Sequence, residues 1–435
     1  MAISGIYVGL LLVGLLPIVL FGTDPAGAFT MLGVVLGLWA LLGALDWFLA
    51  AAPRRTAIER DLPERARLGE TITSTVLLTN LGGRGMNAVV RDAWEPSAGA
   101  PRLRQKVSIP AGERRAVSTP LKPWRRGDRR SEFVVIRSWG PLRLAARQAT
   151  LKAPGRVRVL PPFNSRRHLP SRIARLRELD GQTTLQVRGQ GTEFDSLRDY
   201  VRGDDVRSID WRATARRQEL VVRTWRPERD RRVIIVIDTG RTAAARIEDE
   251  TRIDTAIESA LLLSALATRA GDRVDLIAYD QRVRARVQGF TGSTLLSRIT
   301  DAMADVEPEL LEMDWQSLPR LVREVTTQRS LVVLLTTADN VGAARELLQT
   351  LPSVTHDHLV MVASVTDPDT ARLTEQLGDR DEVLRAAAAE RALLDAQQVR
   401  RAMTRLGADT VTATPYDLPP RVADRYLELK KAGRL

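Results

Sequence analysis

The sequence predicts a multidomain, membrane-anchored fold: a transmembrane helical hairpin, an all-β sandwich and a doubly wound α/β domain. Three observations carry this. Two apolar runs open the chain, Ile3–Phe21 without a charge and Ala26–Ala52 interrupted only by Asp46. Short alternating segments separated by Pro and Gly fill residues 60–160. From Arg232 onward, continuous apolar strands alternate with helical patterns. A length of 435 residues allows two or three domains. The expected segments are 1–53 (hairpin), 54–160 (sandwich), 161–231 (a linker carrying a dense charged run) and 232–435 (α/β).

Each apolar run is long enough for a hydrocarbon core of about 30 Å, which takes roughly 20 residues. The short polar Gly22–Pro25 segment makes them a hairpin, with a kink expected at Pro17. Ala26-Gly27-Ala28 looks like a cleavage site. No basic residue precedes the apolar stretch, however, and a second span follows at once, so an anchor is predicted over a secretory signal. Arg54, Arg55 and Arg60 follow the second span, which places the N-terminus and everything after residue 53 in the cytoplasm. Asp46, beside Trp47 near a helix end, reads as interfacial.

In the sandwich region Thr71–Thr79 alternates around Ile72, Val76 and Leu78. Asn80–Gly85 is a turn. Val89–Trp94, Lys106–Ile109, Arg115–Leu121 and Glu132–Ser138 are further predicted strands. Leu160-Pro161-Pro162 marks a boundary, and basic Arg166–Leu179 has a helical pattern. In the last region Val233–Ile237, Arg273–Tyr279, Leu331–Thr336, Leu359–Val365 and Thr410–Ala413 read as strands. Glu250–Ala270, Thr294–Val306, Leu318–Val325, Gly342–Leu351, Arg380–Leu406 and Leu418–Lys431 read as helices. This is a parallel sheet covered on both faces, and its ligands bind at the C-terminal strand edge. Asp238, Asp339 and Asp367 are expected there. No Gly-x-Gly-x-x-Gly or Walker-type motif occurs.

Composition narrows the chemistry. The net charge is +12 and the pI about 10.7. Lys106, Lys122, Lys152, Lys430 and Lys431 are the only lysines among 65 basic residues. The arginines are spread along the chain and often adjoin acids. That favours internal pairing and attraction to anionic lipid over a nucleic-acid surface, and no specific nucleic acid is expected. The absence of cysteine excludes disulfides, thiolate metal sites and cysteine nucleophiles. His168, His356 and His358 are the only histidines, little material for a Ser-His-Asp triad or a zinc site.

The densest segment is residues 191–216: Glu193-Phe194, Arg198, Tyr200, Gly203-Asp204-Asp205, Arg207, Ile209-Asp210-Trp211 and Ala215-Arg216. This run resembles the signature of the bacterial family called domain of unknown function 58. The resemblance covers nearly the whole chain, and it implies a von Willebrand factor A-like C-terminal domain. It also implies action with a MoxR-type AAA+ ATPase in assembling or maturing other proteins, often at the cell envelope.

Von Willebrand A domains often carry a metal-ion-dependent adhesion site, Asp-x-Ser-x-Ser plus a loop Thr and a later Asp, whose oxygens suit Mg²⁺. By that resemblance the site residues are Asp238, Thr242, Thr294 (or Thr291) and Asp339. Here the site is degenerate. Gly240 replaces the first Ser, and Arg241 brings a cation that opposes a divalent ion. Weak or no Mg²⁺ binding is expected, and Gly240→Ser with Arg241→Ala is expected to raise it.

The signature acids sit among arginines, whose forks hold surfaces in register. Three readings stand: a clamp against the α/β domain, a docking surface for the ATPase, or a carboxylate site for Mg²⁺-dependent hydrolysis of phosphodiesters; Glu228, after Trp225, is placed to join either arrangement. The function expected is a non-enzymatic interaction module at the membrane. The alternative is a metal-dependent hydrolase or nuclease.

Overall fold

The structure is a computed structural model that describes residues 2–14, 16, 18, 24–101, 104–186, 193–202, 204–226 and 231–435. It divides into two compact units, Met1–Leu160 and Pro161–Leu435.

In the first unit, strand β1 (Ala2–Ile3) leads into helix Gly5–Val13, capped by the Ser4 hydroxyl on Tyr7 N–H. Helix Pro25–Leu49 starts at Asp24, whose carboxylate accepts Gly27 N–H, with Pro25 in the first turn. From Pro25 to Arg55 the chain is long and apolar enough to cross a membrane, with mean hydropathy 2.1. Phe29, Val34, Leu36, Leu38, Leu41 and Phe48 stand exposed around this helix. Residues 15, 17 and 19–23, which belong to the first apolar run and its connection, lie outside the described residues.

The strands that follow are β2 (Thr56–Asp61), β3 (Arg65–Arg67), β4 (Ile72–Asn80), β5 (Met86–Trp94), β6 (Gln105–Ile109), β7 (Arg114–Leu121), β8 (Gly127–Trp139) and β9 (Ala145–Leu160). One sheet runs β1-β9-β8-β5-β6, with β3 parallel to β9. The other runs β2-β4-β7. Alternation sets the facing sides: Ile72, Ser74, Val76 and Leu78 of β4 point inward. Val76 and Leu78 meet Met86, Val90, Val134 and Ile136 in one apolar core, and Ile72 joins a second with Trp94, Leu121, Val157 and Val159. The long β9 was not expected from its sequence. Its Pro154-Gly155 falls where the register with β8 shifts, a position at which a strand tolerates Pro.

The second unit opens with helix Leu169–Gln186. Strands β10 (Glu193–Asp199) and β11 (Val221–Arg226) form an antiparallel pair around helix Trp211–Arg217. Then come β12 (Arg232–Asp238), the small β13 (Arg246–Ile247) and β14 (Glu250–Thr251), β15 (Arg273–Tyr279), β16 (Val283–Val287), β17 (Leu331–Leu335), β18 (Leu359–Val365) and β19 (Asp409–Ala413). The main sheet is ordered β16-β15-β12-β17-β18-β19 and is parallel except for edge strand β16.

Val233, Ile235 and Ile237 share one core with helices Arg252–Arg269 and Leu418–Lys431. Ile234 and Val236 share the other with Leu318, Leu347 and Val399. Covering both faces is what makes β12 apolar at every position from Val233 to Ile237. The strand order reverses at β12, so the crevice beyond the ends of β12 and β17 is the expected ligand position for such a sheet.

Candidate functional site

Two groups of residues stand out in the second unit: the rim of the main sheet and the signature segment. Parallel register sets Ile237 beside Leu335, so the next residues, Asp238 and Thr336, meet at the rim. The Thr336 hydroxyl donates to Asp238 Oδ2 at 2.6 Å, and Gly240 N–H donates to Oδ1 at 2.8 Å. Thr242 Oγ1 lies 3.5 Å from Oδ2. Asp238 is 5% exposed, and burial pushes its carboxyl above the usual range against the pull of these donors.

Two other rim acids, Asp280 and Asp339, hold arginines. Asp280 receives Arg284 Nε at 2.6 Å, Thr239 Oγ1 at 3.0 Å and two backbone N–H groups. Burial pushes Asp280 up, but these donors outweigh it and hold the carboxyl below its ordinary value. Arg284 also reaches Glu309 at 3.2 Å. Asp339 pairs with Arg252 Nη2 at 2.9 Å. Asp367 caps helix Pro368–Leu373 by accepting Asp369 N–H. Asp238, Thr242, Arg252, Thr336 and Thr337 line a small recess here.

This arrangement corrects the sequence reading in three places. The loop hydroxyl on Asp238 belongs to Thr336. Thr294 is exposed in the first turn of helix Gly292–Ala304, and Thr291 is that helix's exposed N-cap. The cation in the recess is Arg252, whereas Arg241 is exposed and paired with Glu312. A Cβ at Gly240 would lie 2.8 Å from Leu311 O, so a serine there does not fit without moving that loop. Asp238 is thus bonded to N–H and O–H donors, and Asp339 to a guanidinium. Among the described residues no three His, Asp or Glu side chains gather as a metal-binding group.

In the signature, Asp204 accepts Arg198 Nη2 at 2.6 Å and Val201 N–H at 2.9 Å. Asp205 caps a short turn through Arg207 N–H. Asp210 is the N-cap of helix Trp211–Arg217. Its Oδ1 accepts Arg212 and Ala213 N–H, and its Oδ2 accepts Arg223 Nε at 2.8 Å. The Arg198 bond holds Asp204 below the ordinary carboxylate range, and the Ala213 N–H does the same for Asp210. Glu193 and Phe194 sit in β10, in register with Arg226 and Trp225. Tyr200 N–H bonds Leu220 O at 2.8 Å, closing the ribbon. Gly203 and Glu228 lie outside the described residues.

The ion pairs described for these acids therefore close inside the segment, not on the α/β sheet as a clamp requires. Trp211 is 69% exposed, and Val201 and Val206 of the same segment are exposed as well. Arg202, Arg207, Arg212, Arg216 and Arg217 are exposed too, with no carboxylate partner among the described residues. The residue types were legible in advance. Which charges would be spent internally was not.

A family model described as "Protein of unknown function DUF58" matches residues 196–413, half of the chain. A protein of Mycobacterium tuberculosis, described as uncharacterized, is 26% identical over 238 residues, covering 49% of this chain and 73% of its own. Among solved structures, the SpRpn10 VWA domain is 11% identical, with a TM-score of 0.27, covering 45% of this chain and 94% of its own. A CARDB domain from Pyrococcus furiosus is 18% identical, with a TM-score of 0.18, covering 24% of this chain and 94% of its own.

Proposed function

The chain belongs to the DUF58 family of proteins of unknown function, and from that premise we propose that it is a non-enzymatic, membrane-anchored module whose signature segment docks another protein. The observation that carries this is the division of labour within the segment. Asp204, Asp205 and Asp210 are bonded by Arg198, Arg223 and backbone N–H groups, while Trp211, Val201, Val206 and five arginines are exposed. Exposed apolar side chains set among guanidiniums are the composition of a protein interface, where Trp and Arg dominate binding energy. The partner is a MoxR-type AAA+ ATPase that presents an acidic surface, and the pair acts in assembling or maturing other proteins.

The anchor is a two-span hairpin with both soluble units on the cytoplasmic side. Its support is the apolar helix Pro25–Leu49, the basic Arg54 and Arg55 after it, and helix Gly5–Val13 lying against it. Tyr7 donates to Trp39 O at 2.7 Å, and the two rings meet edge to face.

The test uses the full-length protein in lipid nanodiscs and a purified MoxR-type AAA+ ATPase. Trp211→Ala should weaken binding about tenfold or more without lowering the unfolding midpoint. Unchanged affinity for Trp211→Ala and for a combined Arg207→Ala, Arg212→Ala variant would remove the proposal.

A further inference from the structure

Arg252 is the first residue of helix Arg252–Arg269. A cation there opposes the positive end of the helix dipole, so something else must favour it. The structure shows what does. Arg252 Nη2 sits 2.9 Å from Asp339 Oδ2, on a largely buried side chain that lines the recess beside Asp238 and Thr336. The same solution recurs along the rim, where Arg284 serves Asp280 and Glu309, and Arg241 serves Glu312.

We infer that Arg252 is the resident cation of the sheet rim, and that the rim works without a divalent metal ion. Three observations converge on it. Gly240 brings no hydroxyl, and the Leu311 carbonyl crowds the space a serine would need. Both oxygens of Asp238 already have donors from the chain itself, Gly240 N–H on Oδ1 and the Thr336 hydroxyl on Oδ2. Arg252 lines the same recess as Asp238 and pairs with Asp339, so a divalent cation entering the recess meets a fixed positive charge nearby. A tethered arginine is not lost by chelation or dilution, so the rim keeps its charge balance at any magnesium concentration. The inference stands apart from the docking proposal, because it concerns a different part of the unit and is read without the ATPase.

The experiment is thermal unfolding of the full-length protein in nanodiscs, stripped with EDTA and then given MgCl₂ or MnCl₂. An ion held with a Kd of about 0.1 mM and supplied at about 10 mM raises the midpoint by several degrees. The wild-type midpoint is expected to move by less than about one degree. Arg252→Met is expected to lower the midpoint and to make it rise on MgCl₂ addition, because Asp339 is then left without its cation and the recess beside Asp238 without its fixed positive charge. Arg252→Lys, which keeps the charge, stays insensitive to MgCl₂ and covers the case in which the methionine variant does not fold. A wild-type rise of several degrees that Asp238→Asn abolishes would overturn the inference, as would an Arg252→Met protein as stable as wild type.

Discussion

Asp46 and Leu144, 98 positions apart, are bonded directly: the buried carboxylate on helix Pro25–Leu49 accepts the Leu144 N–H at 2.7 Å. It also accepts Leu142 N–H at 2.7 Å and Ala145 N–H at 2.9 Å. Helix Pro25–Leu49 is thereby fixed to the β8–β9 turn. Trp47 stacks under Arg147, whose Nη1 reaches Ala50 O. Asp46→Ala leaves three backbone donors without this acceptor and should cost about 3–5 kcal/mol. Gly140→Ala should be comparably harmful, because a Cβ there collides with the same carboxylate. Chemical unfolding of the full-length protein in detergent measures both. A loss below about 1 kcal/mol for either would show that the contact does not hold the joint.

Inside the sandwich Arg60 and Asp92 form a second buried pair, with side chains 6% and 1% exposed. Asp92 also accepts Ser74, Ser131 and the Trp94 indole N–H, and Arg60 reaches Ala153 O at the irregularity in β9. Either Asp92→Asn or Arg60→Met strands the remaining partner and should cost about 3–5 kcal/mol. The double variant should lose clearly less than the sum of the two. A double-mutant cycle decides it: additive losses would mean that the two side chains do not act as a unit.

Local pattern revealed what local chemistry determines and missed what distant segments supply. The apolar runs of β12, β17 and β18 are legible because burial on both faces leaves no other composition. Strand β16 was hidden, since Arg284 and Arg286 interrupt its apolar residues, and their partners Asp280 and Glu324 are not read from spacing. Asp46 read as interfacial because nothing near it in sequence names Leu142 or Leu144. Thr336 was findable: it follows β17 directly, as Asp238 closes β12, and parallel neighbours bring such positions together.

The signature separates a stability residue from a surface residue. Asp210 caps its helix and holds Arg223, so Asp210→Ala should lower the stability of the segment by about 1–2 kcal/mol. Asp210→Ser keeps the cap and should recover part of that. Trp211→Ala removes only exposed surface and should change stability by less than about 0.5 kcal/mol. Hydrogen exchange on residues 211–217 reads the difference. Equal protection in the Asp210→Ala and Trp211→Ala proteins would contradict these roles.

Rim acids predict opposite pH responses. The Asp280 carboxyl is held below its unfolded value of 3.8, so its contribution is complete above that pH and fades as pH falls through the lower folded value. Asp238 is raised, and the sign reverses. Between 3.8 and its folded value the native state binds the extra proton, so stability falls as pH rises through that window, and the cost persists at neutral pH. Asp238→Asn keeps an acceptor for Thr336 or Gly240 and carries no charge. It should therefore raise the unfolding midpoint at neutral pH and flatten the decline that the wild type shows on leaving acid. Asp280→Asn should lower the midpoint at neutral pH, because Arg284 loses its buried partner. Midpoints taken from pH 4 to pH 8 compare the three proteins. An Asp238→Asn protein less stable than wild type at neutral pH would show that the Asp238 charge is compensated in the folded state, contrary to its shielding by hydroxyl and amide donors alone.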